Sequence, residues 1–350
     1  MRKLHVDLGL DSYDIIFERG LLSHVADYVA CDGKKICVVT DENVAKLYAD
    51  DVLSSLKKAG YETSVIVLPH GEKTKSFDVL PSVYARLLEE KITRKDALVA
   101  LGGGVIGDLC GFVAATYLRG IGFVQIPTSL LAQVDSSIGG KVAVDLPQGK
   151  NLVGAFYQPD VVLIDTTALD TLPDYYYSDG MAEVIKYGCI RDAALFDALS
   201  ACKGGRIAPD KQDEIIYRCC DIKREVVEKD EKDKGERMIL NFGHTYGHAL
   251  EKYYAFEKIS HGMAVAVGMC VITRKAEEKG LTKKGCAEKI ESVCRLFGLP
   301  VSDPAPEREV VAGVVNDKKN LGDKLVTVLL KDIGESYLYP TNAEFFADER

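Results

Sequence analysis

The sequence predicts an α/β N-terminal domain with a doubly wound, mainly parallel sheet, followed by an all-α C-terminal domain. Apolar segments of strand length alternate with helical segments as far as Asp165, which is typical of a parallel sheet covered by helices. After Asp165, apolar residues recur at spacings of three and four, as in amphipathic helices. We therefore predict one domain at residues 1–165 and a second, helical domain at residues 166–350.

The elements of the first half follow from short apolar segments bounded by polar or turn residues. The predicted parallel strands lie at residues 35–40, 65–68, 97–101, 122–127 and 161–165. Helices are predicted at residues 43–60 and 79–90, where the apolar spacing changes from strand to helix. The stretch at residues 97–151 predicts a strand, a glycine turn, a helix, a strand, a helix and a hairpin, in that order.

The second half shows helical spacing almost throughout, with short polar loops between the segments. The predicted helices lie at residues 178–190, 193–201, 209–229, 243–256 and 263–279. One short hairpin is predicted at residues 324–330.

Three successive glycines follow the strand at residues 97–101, and a helix is predicted directly after them. Such a run costs chain entropy, which close approach of the backbone to a ligand would offset. The N-terminus of the helix would attract an anion such as a pyrophosphate. Gly102, Gly104 and Gly107 satisfy the dinucleotide pattern, but the usual acidic residue is missing because the strand at 122–127 ends without a carboxylate. A tight turn without a ligand remains the alternative.

Polar residues follow two of the predicted strands, at the edge where doubly wound sheets bind their ligands. They are Asp41, Glu72 and Lys75. Asp41 is a candidate ribose acceptor in place of the missing carboxylate, although a plain helix cap explains it equally well.

Composition excludes several classes of protein. The net charge of −9 and the pI near 5.3 leave no excess of basic residues for broad nucleic-acid binding. The N-terminus lacks a signal-peptide core and no uncharged run reaches the length of a membrane span, so we expect a soluble, cytoplasmic protein. The ten cysteines include no C-x-x-C pair, which argues against a disulfide framework or a thiolate zinc site.

Three of the six histidines fall within eighteen positions, at His244, His248 and His261. His244 and His248 lie one helical turn apart, where both can reach one ion, although such a pair is more often structural. Glu183 and Lys186 lie three apart in an apolar stretch, which favours a buried functional carboxylate over a surface ion pair. A glutamate and two histidines form an open zinc set, with the third histidine left for acid–base chemistry or substrate contact.

Basic residues accompany the glycine turns and the histidines of this acidic chain. Together they predict a small polyanionic substrate, although each one alone would be an ordinary surface charge. They are Arg119, Lys141, Lys150, Lys186, Lys223, Arg237, Lys318 and Lys319.

These motifs resemble the 3-dehydroquinate synthase family of the sugar-phosphate cyclase superfamily over nearly the whole chain. The matching segments are GGGVIGDLCGFVAATYLRG, PTSLLAQVDSSIGGKVAVDLPQGKNLVGAFYQP, GMAEVIKYG, LNFGHTYGHALE and HGMAVAVGM. The resemblance implies conversion of 3-deoxy-D-arabino-heptulosonate 7-phosphate to 3-dehydroquinate and phosphate, the second step of the shikimate pathway. It implies transient oxidation by NAD, phosphate elimination, re-reduction and intramolecular aldol closure. It further implies a divalent metal, zinc first and cobalt as the alternative, and a homodimer.

The resemblance also implies roles for individual residues. The implied metal ligands are Glu183, His244 and His261. The implied NAD contacts are Asp41, Asn43, Glu72, Lys75, Gly103, Gly104, Asp108, Thr128, Ser129, Lys150, Ala168, Leu169, Asp170 and Thr171. The implied substrate shell comprises Asp135, Lys141, Asn151, Lys186, Lys223, Arg237, Asn241, His248, Lys318 and Lys319, with Arg119 reaching across a dimer interface.

Within that shell, His248 is the candidate proton carrier because imidazole titrates near neutral pH, while Lys186 and Lys223 hold charge. The substrate's own phosphate is the other candidate base for the elimination.

Three other functions fit parts of the pattern. A cyclase of the 2-deoxy-scyllo-inosose synthase type uses the same cofactors on a substrate without a carboxylate, but Lys223, Arg237 and Asn241 favour a carboxylate. A metal-dependent polyol dehydrogenase needs fewer basic groups and releases NADH. A non-catalytic nucleotide-binding protein has no use for the glutamate and histidine set.

Overall fold

The computed structural model describes residues 1–313, 326–341 and 345. The chain divides into two compact units, each with its own interior. The first comprises Met1–Leu172 and Lys223–Lys232, and the second comprises Pro173–Ile222 and Asp233–Arg350. The boundary that we predict at residue 166, between an NAD-binding domain and a metal- and substrate-binding domain, stays a prediction.

A seven-stranded sheet forms the centre of the described part of the first unit. The strands of this unit are β1 Arg2–Val6, β2 Tyr13–Phe17, β3 Lys35–Asp41, β4 Glu62–Leu68, β5 Ala97–Gly102, β6 Gly122–Pro127, β7 Lys141–Leu146, β8 Gly149–Phe156 and β9 Val161–Ile164. The sheet order is β1-β2-β9-β6-β5-β3-β4, and all neighbours are parallel except β1 and β2. The predicted doubly wound, mainly parallel sheet is therefore confirmed.

Apolar residues cover both faces of the central strands, as expected for a parallel sheet between helices. Cys37 and Val39 of β3 pack on one face, while Ile36 and Val38 pack on the other. The helices of this unit are α1 Glu42–Val44, α2 Asp50–Lys58, α3 Leu80–Glu89 and α4 Gly104–Thr116. Helices α3 and α4 cover the first face and α2 covers the second.

The order predicted for residues 97–151 is confirmed, with a short π-helix at Ala132–Ser136 between β6 and β7 and the antiparallel hairpin of β7 and β8 at its end. The antiparallel pair of β1 and β2 was not predicted. Strand β1 buries only two of its five residues, so it lacks the continuous apolar run that marks the central strands.

The described part of the second unit is helical apart from one hairpin. Its elements are α5 Asp174–Arg191, α6 Ala193–Ser200, α7 Pro209–Lys229, α8 His244–Tyr253, α9 His261–Glu278, α10 Cys286–Leu296, β10 Val326–Asp332 and β11 Glu335–Pro340, with α7 passing into the first unit at Lys223. The predicted helical C-terminal domain is confirmed. A hairpin is also present, but it runs from Val326 to Pro340, so the predicted range 324–330 overlaps only its first strand. Among the described residues, no helix combines the length and the apolar character needed to cross a membrane.

Glycines bring the backbones of α8 and α9 into direct contact. A Cβ atom on Gly268 would lie 2.0 Å from the carbonyl oxygen of Gly243, and one on Gly247 would lie 3.0 Å from a carbonyl oxygen of α9. Only residues without a side chain permit this approach. The crossing places the first residues of the two helices, His244 and His261, beside each other.

Candidate active site

A glutamate and two histidines converge inside the second unit. Glu183 of α5 is 1% exposed, and His244 and His261 are the first residues of α8 and α9. The Nε2 atoms of the two imidazoles lie 3.5 and 3.6 Å from Oε1 of Glu183. One potential ligand atom from each of the three residues lies within 4.8 Å of the others.

The second ring nitrogen of each imidazole also meets an acceptor. Nδ1 of His244 lies 3.2 Å from the carbonyl oxygen of Phe242, and Nδ1 of His261 lies 3.4 Å from Oε2 of Glu251. A neutral imidazole that donates from Nδ1 keeps its Nε2 lone pair for an ion. With both rings neutral, their Nε2 nitrogens and a carboxylate oxygen form an open zinc-type set, so the residues fit a divalent metal that displaces any proton on these nitrogens. Their assignment as ligands stays a prediction.

The two imidazoles differ in their electrostatic surroundings. Burial lowers the pKa of His244 to about 3, so this ring is neutral. Burial also opposes the charge on His261, but hydrogen bonds to Glu183 and Glu251 outweigh it and raise its pKa to about 10. An ion bound at His261 must therefore compete with a proton.

Lys186 forms a buried ion pair with Glu183, and both side chains are 1% exposed. This burial agrees with the interpretation of a functional carboxylate rather than a surface pair. His248 is exposed on α8, with its ring centroid 5.3 Å from that of His244. In the turn before α8, Arg237 is buried and Asn241 is exposed.

A second group of predicted residues meets in the first unit, around the buried ammonium of Lys75. Nζ of Lys75 lies 3.0 Å from Oδ2 of Asp108, 2.7 Å from Oδ1 of Asn151 and 3.5 Å from Oε1 of Glu72. Burial lowers the pKa of Lys75, but the charges of Asp108 and Glu72 outweigh it, so the net shift is upward. Asp145 was not predicted, yet its Oδ1 accepts a hydrogen bond from the backbone N–H of Asn151 at 2.8 Å.

The glycine turn between β5 and α4 is explained only in part by packing. A Cβ on Gly102 would lie 2.7 Å from Cβ of Ile106, so packing against Ile106 is enough to require glycine at this position, whether or not a ligand binds. Gly103 is the N-cap of α4, and no side chain of the described residues caps this helix. A Cβ on Gly103 or Gly104 would lie 3.3 or 3.0 Å from the hydroxyl oxygen of Ser129 or Ser136. The start of α4 therefore has backbone N–H groups that fit an anion such as a pyrophosphate.

Asp41 caps the helix that follows β3. Its Oδ1 accepts hydrogen bonds from the backbone N–H groups of Asn43 and Val44 at 2.9 and 3.1 Å. The helix-cap alternative thus occurs, and a ribose contact by Asp41 stays a prediction.

The segment containing Ala168 and Thr171 is held by Tyr48. The Tyr48 hydroxyl donates to the carbonyl oxygen of Ala168 at 3.1 Å and also bonds the Thr171 hydroxyl. Leu169 is buried, whereas Asp170 is exposed.

The remaining predicted residues are spread over the first unit. Nζ of Lys223 lies 2.9 Å from Oδ1 of Asp135. Thr128 is buried, Lys150 is half-buried, and Lys141 and Arg119 are exposed. Lys318 and Lys319 lie outside the described residues.

Comparison with known proteins identifies the family. The model of the 3-dehydroquinate synthase N-terminal region matches residues 65–179, and that of the C-terminal region matches residues 180–320. A 3-dehydroquinate synthase of Clostridium perfringens (strain SM101 / Type A) is 54% identical over 352 residues, covering 99% of this chain and 100% of the relative. The chain belongs to the 3-dehydroquinate synthase family.

Solved structures of sugar-phosphate cyclases share the fold of this chain. A 2-deoxy-scyllo-inosose synthase complexed with carbaglucose-6-phosphate, NAD+ and Co2+ is 25% identical, with a TM-score of 0.88 and coverage of 99% of this chain and 98% of its own. A 2-epi-5-epi-valiolone synthase from Streptomyces hygroscopicus subsp. jinggangensis with NAD+ and Zn2+ bound is 26% identical, with a TM-score of 0.88 and coverages of 95% and 94%.

In this member of the 3-dehydroquinate synthase family, Asp179 is a further residue that sequence reasoning missed. Its Oδ1 accepts a hydrogen bond from the backbone N–H of Met263 at 3.2 Å, in the first turn of α9. A Cβ on Gly262 would lie 1.9 Å from the carbonyl oxygen of Asp179, so α5 touches the start of α9. Because Asp179 precedes Glu183 by one helical turn, this contact sets His261 opposite Glu183.

Glu251 was missed as well, although the sequence carries a usable signal. It follows His248 by three positions and His244 by seven, so all three share one face of α8. Asp145 offered no comparable signal, because its partner Asn151 lies across a hairpin.

Proposed function

We propose that the protein is a 3-dehydroquinate synthase that converts 3-deoxy-D-arabino-heptulosonate 7-phosphate to 3-dehydroquinate and phosphate in the shikimate pathway. The observation that carries the proposal is the buried Glu183 carboxylate facing Nε2 of both His244 and His261. Identity of 54% over the full length of a 3-dehydroquinate synthase supports it. The related cyclase structures with NAD+ and Co2+ or Zn2+ support the same pair of cofactors here.

Each unit would hold one of these cofactors. When bound, NAD takes and returns a hydride, and the metal ion polarises hydroxyl groups of the substrate. The second unit would hold a zinc ion, or cobalt as the alternative, through Glu183, His244 and His261. In the first unit, the N-terminus of α4 would meet the pyrophosphate of NAD. The other NAD contacts that we propose there are Asp41, Asn43, Glu72, Lys75, Gly103, Gly104, Asp108, Thr128, Ser129, Lys150, Ala168, Leu169, Asp170 and Thr171.

The polar residues around the metal set would transfer protons, orient the ligands and bind the substrate. His248 is exposed, so its imidazole can exchange protons with a bound substrate. Lys186 pairs with Glu183, which keeps the carboxylate oriented. Arg237 brings a permanent positive charge into the interior, as needed for a substrate that carries a carboxylate and a phosphate. The other substrate contacts that we propose are Asp135, Lys141, Asn151, Asn241, Lys223, Lys318 and Lys319.

The test uses purified protein with zinc and a trace of NAD. We expect phosphate release from the heptulosonate phosphate without accumulation of NADH, because the hydride returns to the substrate. Steady growth of NADH absorbance would instead indicate a polyol dehydrogenase. Phosphate release only from a sugar phosphate without a carboxylate would indicate another cyclase.

A substitution tests the metal set directly. Glu183→Gln should lose bound zinc and phosphate release together, whereas a variant that keeps both would remove Glu183 from the set. The matched control is Asp174→Asn on the same helix, whose exposed carboxylate pairs with Arg206. This control should keep both properties.

We also propose that the protein works as a cytoplasmic homodimer in which Arg119 reaches the partner. The exposed side chain and left-handed backbone of Arg119, with φ of 69°, support a specialised role. Sedimentation equilibrium tests the assembly, and a mass of one chain would contradict it.

A further inference from the structure

The two histidines of the metal set differ in the acceptor that meets their Nδ1 atoms. His244 faces the neutral carbonyl oxygen of Phe242 at 3.2 Å, whereas His261 faces the carboxylate of Glu251 at 3.4 Å. A carboxylate orients a metal-bound imidazole more firmly than a carbonyl does, and it also makes the imidazole a stronger donor. The two potential ligands are therefore not equivalent.

Glu251 is placed for this role by its helix and by its burial. It lies on the same face of α8 as His244, two helical turns later, and is 2% exposed. A carboxylate at such a position is costly unless it is paired or hydrogen-bonded. The contact with His261 offsets part of this cost.

We propose that Glu251 is a positioning residue that fixes the ring of His261 and strengthens it as a metal ligand. The contacts of α5 with the start of α9 place the backbone of His261, but they leave rotation of its side chain open. The Glu251 carboxylate accepts from Nδ1 and thereby turns Nε2 towards Oε1 of Glu183, 3.6 Å away. This inference rests on the proposed metal site.

A second ligand set competes with this interpretation, since atoms of His248, Glu251 and His261 also lie within 4.8 Å of one another. An ion there would bind Glu251 directly. The Glu183 set is favoured because both of its imidazoles present Nε2 while their Nδ1 atoms meet acceptors. Direct ligation by Glu251 is one outcome that the experiment can detect.

The experiment measures metal binding by the full chain, independently of activity. Zinc affinity is obtained by competition with a chelator, and the visible absorption of bound cobalt reports the geometry of the site. Glu251→Ala should weaken zinc binding by about 10- to 100-fold, as is usual when a partner of a ligating histidine is lost. Glu251→Gln keeps an acceptor without the charge, so its loss should be smaller. Both variants should still bind one ion, with a shifted cobalt spectrum.

The matched control is Glu291→Gln on α10, a half-buried carboxylate that pairs with Arg274 and Arg295. It should leave zinc affinity and the cobalt spectrum unchanged. Glu251→Gln keeps the volume of the side chain, so it decides the matter where Glu251→Ala fails to fold.

Each other outcome has a distinct meaning. Wild-type affinity and an unchanged cobalt spectrum in both Glu251 variants would overturn the inference and leave the proposed function standing. Complete loss of the ion in Glu251→Gln, as expected for Glu183→Gln, would overturn it in favour of direct ligation. A wild-type protein that binds no ion would reject the proposed metal site itself.

Discussion

Glu183 is a charged side chain in the buried stretch of α5 at residues 180–190, where an unpaired carboxylate would be strongly destabilising. Its contact with the Lys186 ammonium offsets part of that cost. Two imidazole nitrogens within 3.6 Å complete a set of groups that has little structural use without an ion. At the residue scale, a buried polar cluster that packing alone would not favour indicates a functional site.

Lys75 allows a quantitative test of the corresponding cluster in the first unit. Lys75→Met removes the ammonium that lies 3.0 Å from Asp108, a carboxylate only 15% exposed. Breaking a buried pair typically costs about 3–5 kcal/mol, and we expect a loss of this size in the free energy of unfolding measured with urea. The neighbouring Lys73→Met, at an exposed position, should change it by less than about 0.5 kcal/mol.

The double variant Lys75→Met with Asp108→Leu separates the causes. It removes both charges and should recover most of the lost stability, because the Asp108 carboxylate is no longer left buried without the ammonium. A double variant as unstable as Lys75→Met would show that packing, not charge, holds the cluster.

The proposed metal and nucleotide residues could be selected from the sequence because residues of their types are uncommon in such segments. Histidines one turn apart and a glutamate in an apolar stretch are visible without coordinates. Asp145 and Asp179 are ordinary aspartates in the sequence, and their contacts depend on chain segments that folding brings together.

At the scale of elements, the site depends on how closely three helices approach. Glycines at the crossing of α8 and α9 let one backbone touch the other. Gly262 does the same between α9 and α5, with its missing Cβ only 1.9 Å from the carbonyl oxygen of Asp179. Glycines in and beside these helices therefore affect the site indirectly, because they set the distances between the helices that carry its side chains.

Gly262→Ala tests this dependence. The added methyl group must push α9 away from α5, which should cost about 1–3 kcal/mol of stability and also weaken zinc binding, since His261 moves with α9. Gly313→Ala is the control, because among the described residues its Cβ would meet Ala249 alone, at an ordinary 3.8 Å. Urea unfolding and chelator competition measure the two effects, and a Gly262→Ala protein with wild-type zinc affinity would contradict the prediction.

Asp96, in the turn before β5, should make the stability of the protein depend on pH. Burial raises its pKa, but hydrogen bonds from Thr93 and from the backbone N–H of Lys35 outweigh it, so the net shift is downward. A lowered folded pKa means that the ionised group stabilises the protein above its unfolded pKa, and that this contribution disappears as pH falls through the folded pKa.

Asp96→Asn should therefore cost about 1.5–3 kcal/mol at neutral pH, the usual worth of a hydrogen bond to a charged group. The difference from wild type should shrink as the pH falls into the range where aspartate protonates. Urea unfolding at a series of pH values measures it. A difference that stays constant, or grows towards acid, would contradict the assigned role of the carboxylate.

At the scale of the whole molecule, metal removal is the most direct test. Chelator-treated protein should lose phosphate release and regain it with zinc or cobalt, but not with magnesium or calcium, which prefer oxygen ligands. Zinc at about 100 times its Kd should also raise the free energy of unfolding by about 2.7 kcal/mol. Equal recovery with magnesium would argue against a site with two imidazole ligands.

Sequence alone determined the parallel sheet, the helical second half and the residue types of the proposed metal set. Each of these follows from local periodicity, in which spacings of two, three or four residues decide which side chains share a face. Residues close together along a helix, such as His244 and His248, could therefore be assigned to one face from the sequence.

Tertiary structure decided which groups from distant segments meet. Glu251 faces His261 only because α8 and α9 cross at glycines, and Asp179 caps α9 only because α5 lies against it. The membership of Lys223–Lys232 in the first unit was likewise not foreseen, since α7 shows one continuous helical period. The physical reason is that a helix period specifies a face, whereas the partner of that face is chosen by packing among all the elements.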